Sequence, residues 1–480
     1  MLNMLQNPLV AIHVQKLYIR AWFIQYLLKR GALFGKHSSS TSKSGRRINS
    51  RDLFFSSFNI PKTLKPLFRS RGGLGEGKLV ETLSPKLILS LMAVAIEGMA
   101  NATVLDFEWR DLPLNKDTSV FLTATRKTFG PSLRRLALQA PIIMFKELLA
   151  IADFPHLDEL AFYFDYALES KTRKERKPVE ASAELQELLN TLIPFITRRR
   201  STLRTLHISS SSSSDLSIFF LRLPDLPGLR RLNLEIRFDE SHLVDSSGIL
   251  KFLQTSSLLH VRLKPPITIS SDVHADGRDT TSTRRDNGWA QLNQKILGHV
   301  GCLRRLESLE LPFLSLEKTL PLIRRSSDTL TALTLTNKFL SLSEVTEVIH
   351  LFHHRPFDLQ HLHLEVVSLE LVILKLLALR VPNLFSLELV FKEPDRIPEE
   401  VFPDESLDYA PFKDWRLYDL GLYLSRYQPP SPETSLLTGV STPIEETFMN
   451  KIQKTVPSIV ELKGVERLSP LEALATRFTV

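Results

Sequence analysis

One cysteine, Cys302, stands in 480 residues. That excludes an intramolecular disulfide framework and any multi-cysteine zinc or iron–sulfur site, and it fits a reducing compartment. Glycine is scarce, 18 residues against 28 prolines, too few for a chain built on tight hairpins or phosphate loops. Long apolar runs are missing too. Ala21–Leu28 spans 8 residues and Val366–Leu379 spans 14 with Glu370 and Lys375 inside it, whereas about 20 are needed to cross a bilayer. No membrane partner is therefore expected. Acidic residues are absent from Met1–Ser50. Residues 1–80 hold 14 Lys/Arg against Asp52 and Glu76, while residues 81–480 hold 47 basic and 51 acidic residues. The net charge of +8 thus belongs to the N-terminal segment, and the body is slightly acidic. A nucleic-acid partner would want a basic folded face, so nucleic acid is not the expected partner of the body. The segment itself reads either as a flexible basic loop or as a mitochondrial leader, given Ser, Lys and Arg over Phe34–Ser50. Otherwise the expected location is cytoplasmic or nuclear. Apolar residues at 43% and charged residues at 24% match globular proteins, so the core can be large.

What is present is a repeat. Leu-x-x-Leu-x-Leu, with other apolar residues allowed, recurs at Leu133/Leu136/Leu138, Leu157/Leu160/Phe162, Leu203/Leu206/Ile208, Leu229/Leu232/Leu234 and Leu258/Val261/Leu263. It continues at Leu306/Leu309/Leu311, Leu330/Leu333/Leu335, Leu359/Leu362/Leu364, Leu384/Leu387/Leu389 and Leu417/Leu420/Leu422. Weaker copies lie at Val14/Leu17/Ile19, Ala102/Leu105/Phe107 and Ile459/Leu462. From Leu133 onward most copies are 24 to 33 residues apart, and the longer gaps hold insertions. An apolar pair two residues apart points to one face of a strand. Helical spacing follows over Phe145–Ala152, Glu184–Thr197, Ile249–Gln254, Ala290–Val300, Ser343–Phe352, Leu369–Leu379 and Glu445–Lys454. Pro155, Pro382 and Pro457 stop such segments just before the next strand, because proline lacks the backbone donor and disfavours helix at the residue before it. Each unit leaves an apolar face that only its neighbour covers.

This pattern resembles the leucine-rich repeats, over about residues 102–462 and again at 14–19, which implies an α/β solenoid (a horseshoe) of irregular strand–helix units with long loop insertions. Regular members carry Asn or Cys at the ninth position to bond the turning backbone. Here those positions hold Pro141, Asp165, Ser211, Arg237, Pro266, Leu314, Lys338, Val367, Lys392 and Ser425, so the turns must be satisfied in another way. The openings Leu133-Arg134-Arg135-Leu136 and Leu229-Arg230-Arg231-Leu232, and the stretch Asn7–Ile19, are similar to fungal F-box/leucine-rich-repeat proteins. That resemblance implies a substrate-recognition subunit of a cullin-type ubiquitin ligase, or an F-box-less paralogue. A divergent F-box would add the Skp adaptor and a cullin as partners. No Leu-Pro-x-Glu start with a late Trp is present, and Thr82–Met99 feeds Thr103–Phe107 as a repeat helix feeds its strand.

Composition predicts a basic N-terminal segment, residues 1–80, and a repeat body, residues 81–480. Loops are expected at 38–51 and 69–78 and as insertions near 171–178, 209–214, 265–287, 394–411 and 429–443. Little chemistry stands out. Gly72–Leu79 misses a phosphate-binding loop because Leu79 sits where a magnesium-binding hydroxyl is needed. His350, His353, His354, His361 and His363 cluster without a carboxylate–histidine helix motif, so an exposed sheet face accounts for them better than a metal site. No nucleophile elbow occurs, and Cys302 reads as a small buried residue. Lys171–Lys177 reads as a solvated basic loop, with a nuclear import tag as the alternative. No catalytic residue, metal or cofactor is expected, and the chain reads as a non-enzymatic protein-interaction scaffold. The alternative is a nucleic-acid-associated protein using the basic segment.

The binding surface follows from alternation. Residues between the buried leucines face away from the core and line the concave face of the solenoid. The partner-binding candidates are Arg231, Asn233, Glu235, His260, Arg262, Lys264, Glu310, Thr334, His361, His363, Glu365, Glu388, Asp419 and Tyr423. Arg231, His260, Arg262 and Lys264 make the middle basic, whereas Glu310, Glu365, Glu388 and Asp419 make the later half acidic. A partner of complementary polarity would be steered onto it.

Overall fold

The structure, a computed structural model, describes residues 8–20, 85–109, 116–149, 154–164, 184–210, 215–240, 242–265, 280–353, 358–391, 412–424 and 456–463. The expected loops at 38–51, 69–78, 171–178, 394–411 and 429–443 lie outside these residues. So do the Gly72–Leu79 motif, Ser211–Ser214 and the expected helix Glu445–Lys454. The chain divides into two compact units, Met1–Leu203 and Arg204–Val480.

In the first unit a one-turn helix α1 (Pro8–Ala11) leads into strand β1 (Lys16–Arg20). Helix α2 (Pro85–Glu97) precedes β2 (Val104–Glu108), and α3 (Lys116–Phe129) precedes β3 (Arg135–Ala140). The short α4 (Phe145–Leu149) precedes β4 (Glu159–Phe164). All four strands are parallel and pair in chain order, with Leu17 opposite Leu105, Leu105 opposite Leu136 and Leu136 opposite Leu160. Phe107, Leu138 and Phe162 form a second buried row, and Phe145 packs edge-on against Phe162 and Phe164 at 5.4 and 5.5 Å. The unit closes on a π-helical turn (Leu188–Leu192) running into α5 (Ile193–Thr197). Pro194 has no amide to give to the preceding turn, which accounts for the widened turn just before it.

The second unit holds β5 (Thr205–Ser210), α6 (Ser217–Arg222), β6 (Arg231–Glu235), α7 (Ser247–Leu253) and β7 (His260–Lys264). It continues with α8 (Thr280–Gly298), β8 (Ser308–Pro312), α9 (Leu316–Arg324), β9 (Ala332–Leu340) and α10 (Leu342–His350). The last described elements are β10 (His361–Val366), α11 (Leu371–Arg380), β11 (Ser386–Phe391), β12 (Asp419–Leu424) and β13 (Glu461–Lys463). From β6 on, every strand is again parallel to the one before. Leu206, Leu232, Val261, Leu309, Leu333, Leu362, Leu387 and Leu420 make one buried row, and Ile208 to Leu422 make the next. Burying each such side chain contributes roughly 1.5–3 kcal/mol, so these rows dominate the stability of the stack. This is an α/β leucine-rich-repeat solenoid.

The structure departs from the sequence expectation in several places: helices α3, α6 and α9 fall outside the segments of expected helical spacing. Ser209 and Ser210 belong to β5, where both are buried, rather than to a serine loop. Helix α8 starts at Thr280, inside the polar stretch 265–287, because Trp289, Leu292 and Ile296 give its C-terminal half a buried face. Local signals explain the other starts. Asp215 and Asp245 each accept from the amide of the serine two residues on, at 2.9 and 2.8 Å, which opens α6 and α7. Ser341 and Glu344 form a capping box on α10.

The missing ninth-position Asn is replaced by hydroxyls just before the first leucine. Ser132, Thr202, Ser257 and Thr329 donate to the carbonyls of Ala102, Leu157, Leu229 and Leu306, the first motif residues of earlier repeats, at 2.8, 3.0, 2.8 and 2.8 Å. A second tie is more regular still. The carbonyl of the residue after that first leucine accepts two successive amides from the next repeat: Arg204 from Arg230 and Arg231 at 2.8 and 3.0 Å, Arg230 from Leu259 and His260 at 2.8 and 2.9 Å. The same fork recurs at Leu259, Glu307, Thr331, Gln360, Phe385 and Tyr418. These forks fix the leading edge of the sheet.

Candidate functional site

The strands of the second unit set the outward side chains in straight rows. Arg231, His260, Ser308, Ala332, His361, Ser386 and Asp419 succeed one another opposite their partners on neighbouring strands. Asn233, Arg262, Glu310, Thr334, His363, Glu388 and Gly421 form the next row. Glu235 stands opposite Lys264, and Glu365, Val390 and Tyr423 line up at the far side. Neighbouring rungs are about 4.8 Å apart. The structure therefore gathers all the sequence-predicted residues onto one sheet. Arg231 and His361 are exposed, and most of the others are half-buried. Lys264 is the exception. It is 7% exposed, so the expectation that its ammonium is displayed does not hold.

The charges are less polarised than the sequence order suggests. Arg262 Nε lies 3.1 Å from Glu310 Oε2, so a member of the basic group neutralises a member of the acidic group. His363 Nδ1 meets Glu388 Oε2 at 2.8 Å, Ser386 donates to Asp419 at 3.2 Å, and His260 lies 4.0 Å from Glu307. Burial, then the positive charge of Arg231, holds His260 below the ordinary histidine value, partly offset by Glu307. A neutral imidazole beside an arginine is the result. In the first unit Ala137, Ala161 and Tyr163 also point to the outward side by alternation but are buried, so that stretch is not an open polar face.

Sequence reasoning missed the row one rung ahead of the strands. The forked carbonyls carry side chains that follow one another as Arg204, Arg230, Leu259, Glu307, Thr331, Gln360, Phe385 and Tyr418 along the leading edge. Phe385 and Tyr418 stack with centroids 5.0 Å apart and planes at 5°, yet are 47% and 41% exposed. His361 meets Phe385 edge-on at 6.2 Å, and Val460 follows at 65% exposure. At the other end Arg204, Arg230 and Arg231 are exposed, and no described carboxylate is within ion-pair range of them. The available signal was the recurring Leu-Arg-Arg-Leu opening and the aromatics of Leu384-Phe385 and Leu417-Tyr418.

Other chemistry is sparse. No group of three His, Cys, Asp or Glu among the described residues is placed to hold a metal ion; His354 lies outside the described residues. Cys302 is buried with Sγ 3.9 Å from the Leu250 carbonyl, and burial pushes its thiol up, away from the reactive thiolate. A gap within the first unit is lined mainly by apolar side chains, Leu105, Phe107, Leu122, Leu136 and Leu138 among them, with Thr125 and Arg126 at its wall. No described helix is long and apolar enough to cross a membrane.

No family model matches the sequence, and no curated protein matches it either. Among solved structures it is similar to an internalin of Listeria monocytogenes at 16% identity and a TM-score of 0.28, over 69% of this chain and 76% of that one.

Proposed function

We propose that the chain is a non-enzymatic protein-interaction scaffold whose working surface is the open sheet face and leading edge of the second unit. One observation carries this reading: parallel strands hold polar and charged side chains in registered rows, with Arg262–Glu310 and His363–Glu388 fixed across strands. Such a face presents many weakly solvated contacts without rearrangement, which favours a macromolecular partner. The test is purification of the tagged full chain from cells at moderate salt, with and without Glu310→Arg/Thr334→Arg, followed by mass spectrometry. A specific protein recovered with the parent and lost with the variant supports the scaffold; equal recovery refutes the face.

Within this reading, the resemblance of the Leu-Arg-Arg-Leu openings to fungal F-box/leucine-rich-repeat proteins supports substrate recognition for a cullin-type ubiquitin ligase, in the cytoplasm or nucleus. Recovery of the Skp adaptor and a cullin is the expected result. Their absence alongside another specific partner refutes the ligase role and leaves the F-box-less paralogue. The charge of residues 1–80 favours a second reading, nucleic-acid association through that segment, which requires binding that weakens steeply with salt.

A further inference from the structure

We infer that the leading edge of the second unit seats an extended segment of a partner protein, acidic at one end and apolar at the other; this rests on the scaffold reading above. Three exposed guanidiniums, Arg204, Arg230 and Arg231, stand on adjacent rungs without a described carboxylate partner. On the open face beside them Arg262 is matched by Glu310 and His363 by Glu388, whereas the three arginines are gathered on two neighbouring rungs. The unmatched cluster calls for anionic side chains, and guanidinium forks suit carboxylates in particular. Next along the edge come Leu259 and exposed Glu307. Glu307 repels a carboxylate above it, so the acidic part of the segment must end at the β6 rung. Beyond it the uncharged Thr331 and Gln360 lead to the stacked Phe385–Tyr418 shelf. An exposed aromatic pair of this kind takes an apolar or aromatic side chain.

The geometry sets the length. From the Arg230 rung on β6 to the Phe385 rung on β11 are five strand spacings, about 24 Å at ~4.8 Å each. An extended chain covers that in about seven residues at ~3.4 Å per residue. The backbone forks hold every rung in line, so the spacing is built into the fold.

The test is fluorescence anisotropy of the full-length protein with the fluorescein-labelled peptide Asp-Glu-Asp-Gly-Ser-Thr-Ser-Gly-Leu-Trp and with the same peptide in reversed order. One order is expected to bind. Arg230→Glu/Arg231→Glu is expected to weaken it at least tenfold, and Phe385→Ser/Tyr418→Ser at least threefold. A peptide with lysines in place of its acids is expected to bind the arginine variant more tightly than the parent. Glu307→Lys, a gain that unfolding cannot mimic, is expected to tighten the acidic peptide. Failure of both orders to bind the parent, or indifference of binding to either double variant, overturns the inference. If the peptides fail while the partner recovered from cells still depends on Glu310 and Thr334, the edge is refuted and the scaffold stands.

Discussion

Asp106 sits on the outward side of β2, opposite Tyr18 of β1 and Ala137 of β3. Burial raises its carboxyl from 3.8 to about 6, with Glu108 adding to the rise while Arg135 and Arg20 oppose it. Between those two values the folded state binds the proton more strongly than the unfolded chain, so the stability this group supports is present below about pH 4 and is lost as pH rises through 6. Above that, the fold carries an ionised, poorly solvated carboxylate. A shift of about 2 units corresponds to about 3 kcal/mol at most, and relaxation of solvent around a partly buried group reduces this to roughly 1–2 kcal/mol. Asp106→Asn removes the titration while keeping the shape. The variant is expected to match the parent near pH 4 and to exceed it increasingly up to a plateau above pH 6.5. Urea titrations of the full chain at pH 4.5, 6 and 8, followed by circular dichroism, read this out. Each kcal/mol corresponds to about 2–4 °C in melting temperature for a unit of this size. A constant difference between variant and parent across the pH range, or a variant less stable at pH 8, refutes the reasoning.

Thr329→Val leaves the Leu306 carbonyl without its donor and should lower stability by about 1 kcal/mol, whereas Thr331→Val, whose bond to Glu307 is exposed, should cost less because water replaces it. Thermal melts of the two variants compare them. Gly248→Ala places a Cβ 2.5 Å from the backbone of Phe220 and Leu221, where α6 and α7 touch; a loss of about 1–3 kcal/mol follows from the forced shift, and an unchanged urea midpoint contradicts it. Cys302 should resist a thiol reagent such as Ellman's in the native protein and react fully in denaturant, since it is buried and its thiol is held protonated; rapid native labelling refutes that placement.

The leucine rows were legible because alternation within a strand and a recurring period are both local properties of sequence. Helix α9 was not, because Pro321 in its interior reads as a stop. The polar start of α8 was hidden by its Asp, Arg and Thr content, and its buried face declares itself only from Trp289 on. The open-face residues were found by alternation, but their pairing was not. Arg262 and Glu310 are separated by a long insertion in the chain yet occupy neighbouring rungs. The leading-edge row escaped entirely, since alternation counts from the first leucine pair of a strand and is silent on the residue that turns into it. Its alignment comes from hydrogen bonds between repeats, which no single repeat encodes.

Those forked carbonyls also partition where the chain tolerates change. Each repeat is stapled to the previous one just before its strand, so an added residue there would break two hydrogen bonds and shift a leucine off its row. After the strand the described ties between repeats are single bonds at scattered places, as from the Trp109, Phe313 and Val367 amides to the Gln139, Thr336 and Leu340 carbonyls. One residue separates β9 from α10, whereas fifteen separate β7 from α8. The strand starts thus behave as a fixed comb, and the side after the strands as a less regularly tied seam. A peptide tag or fluorescent label spliced into the seam after β7 should leave the comb's spacing untouched, which makes that seam the place to attach a reporter.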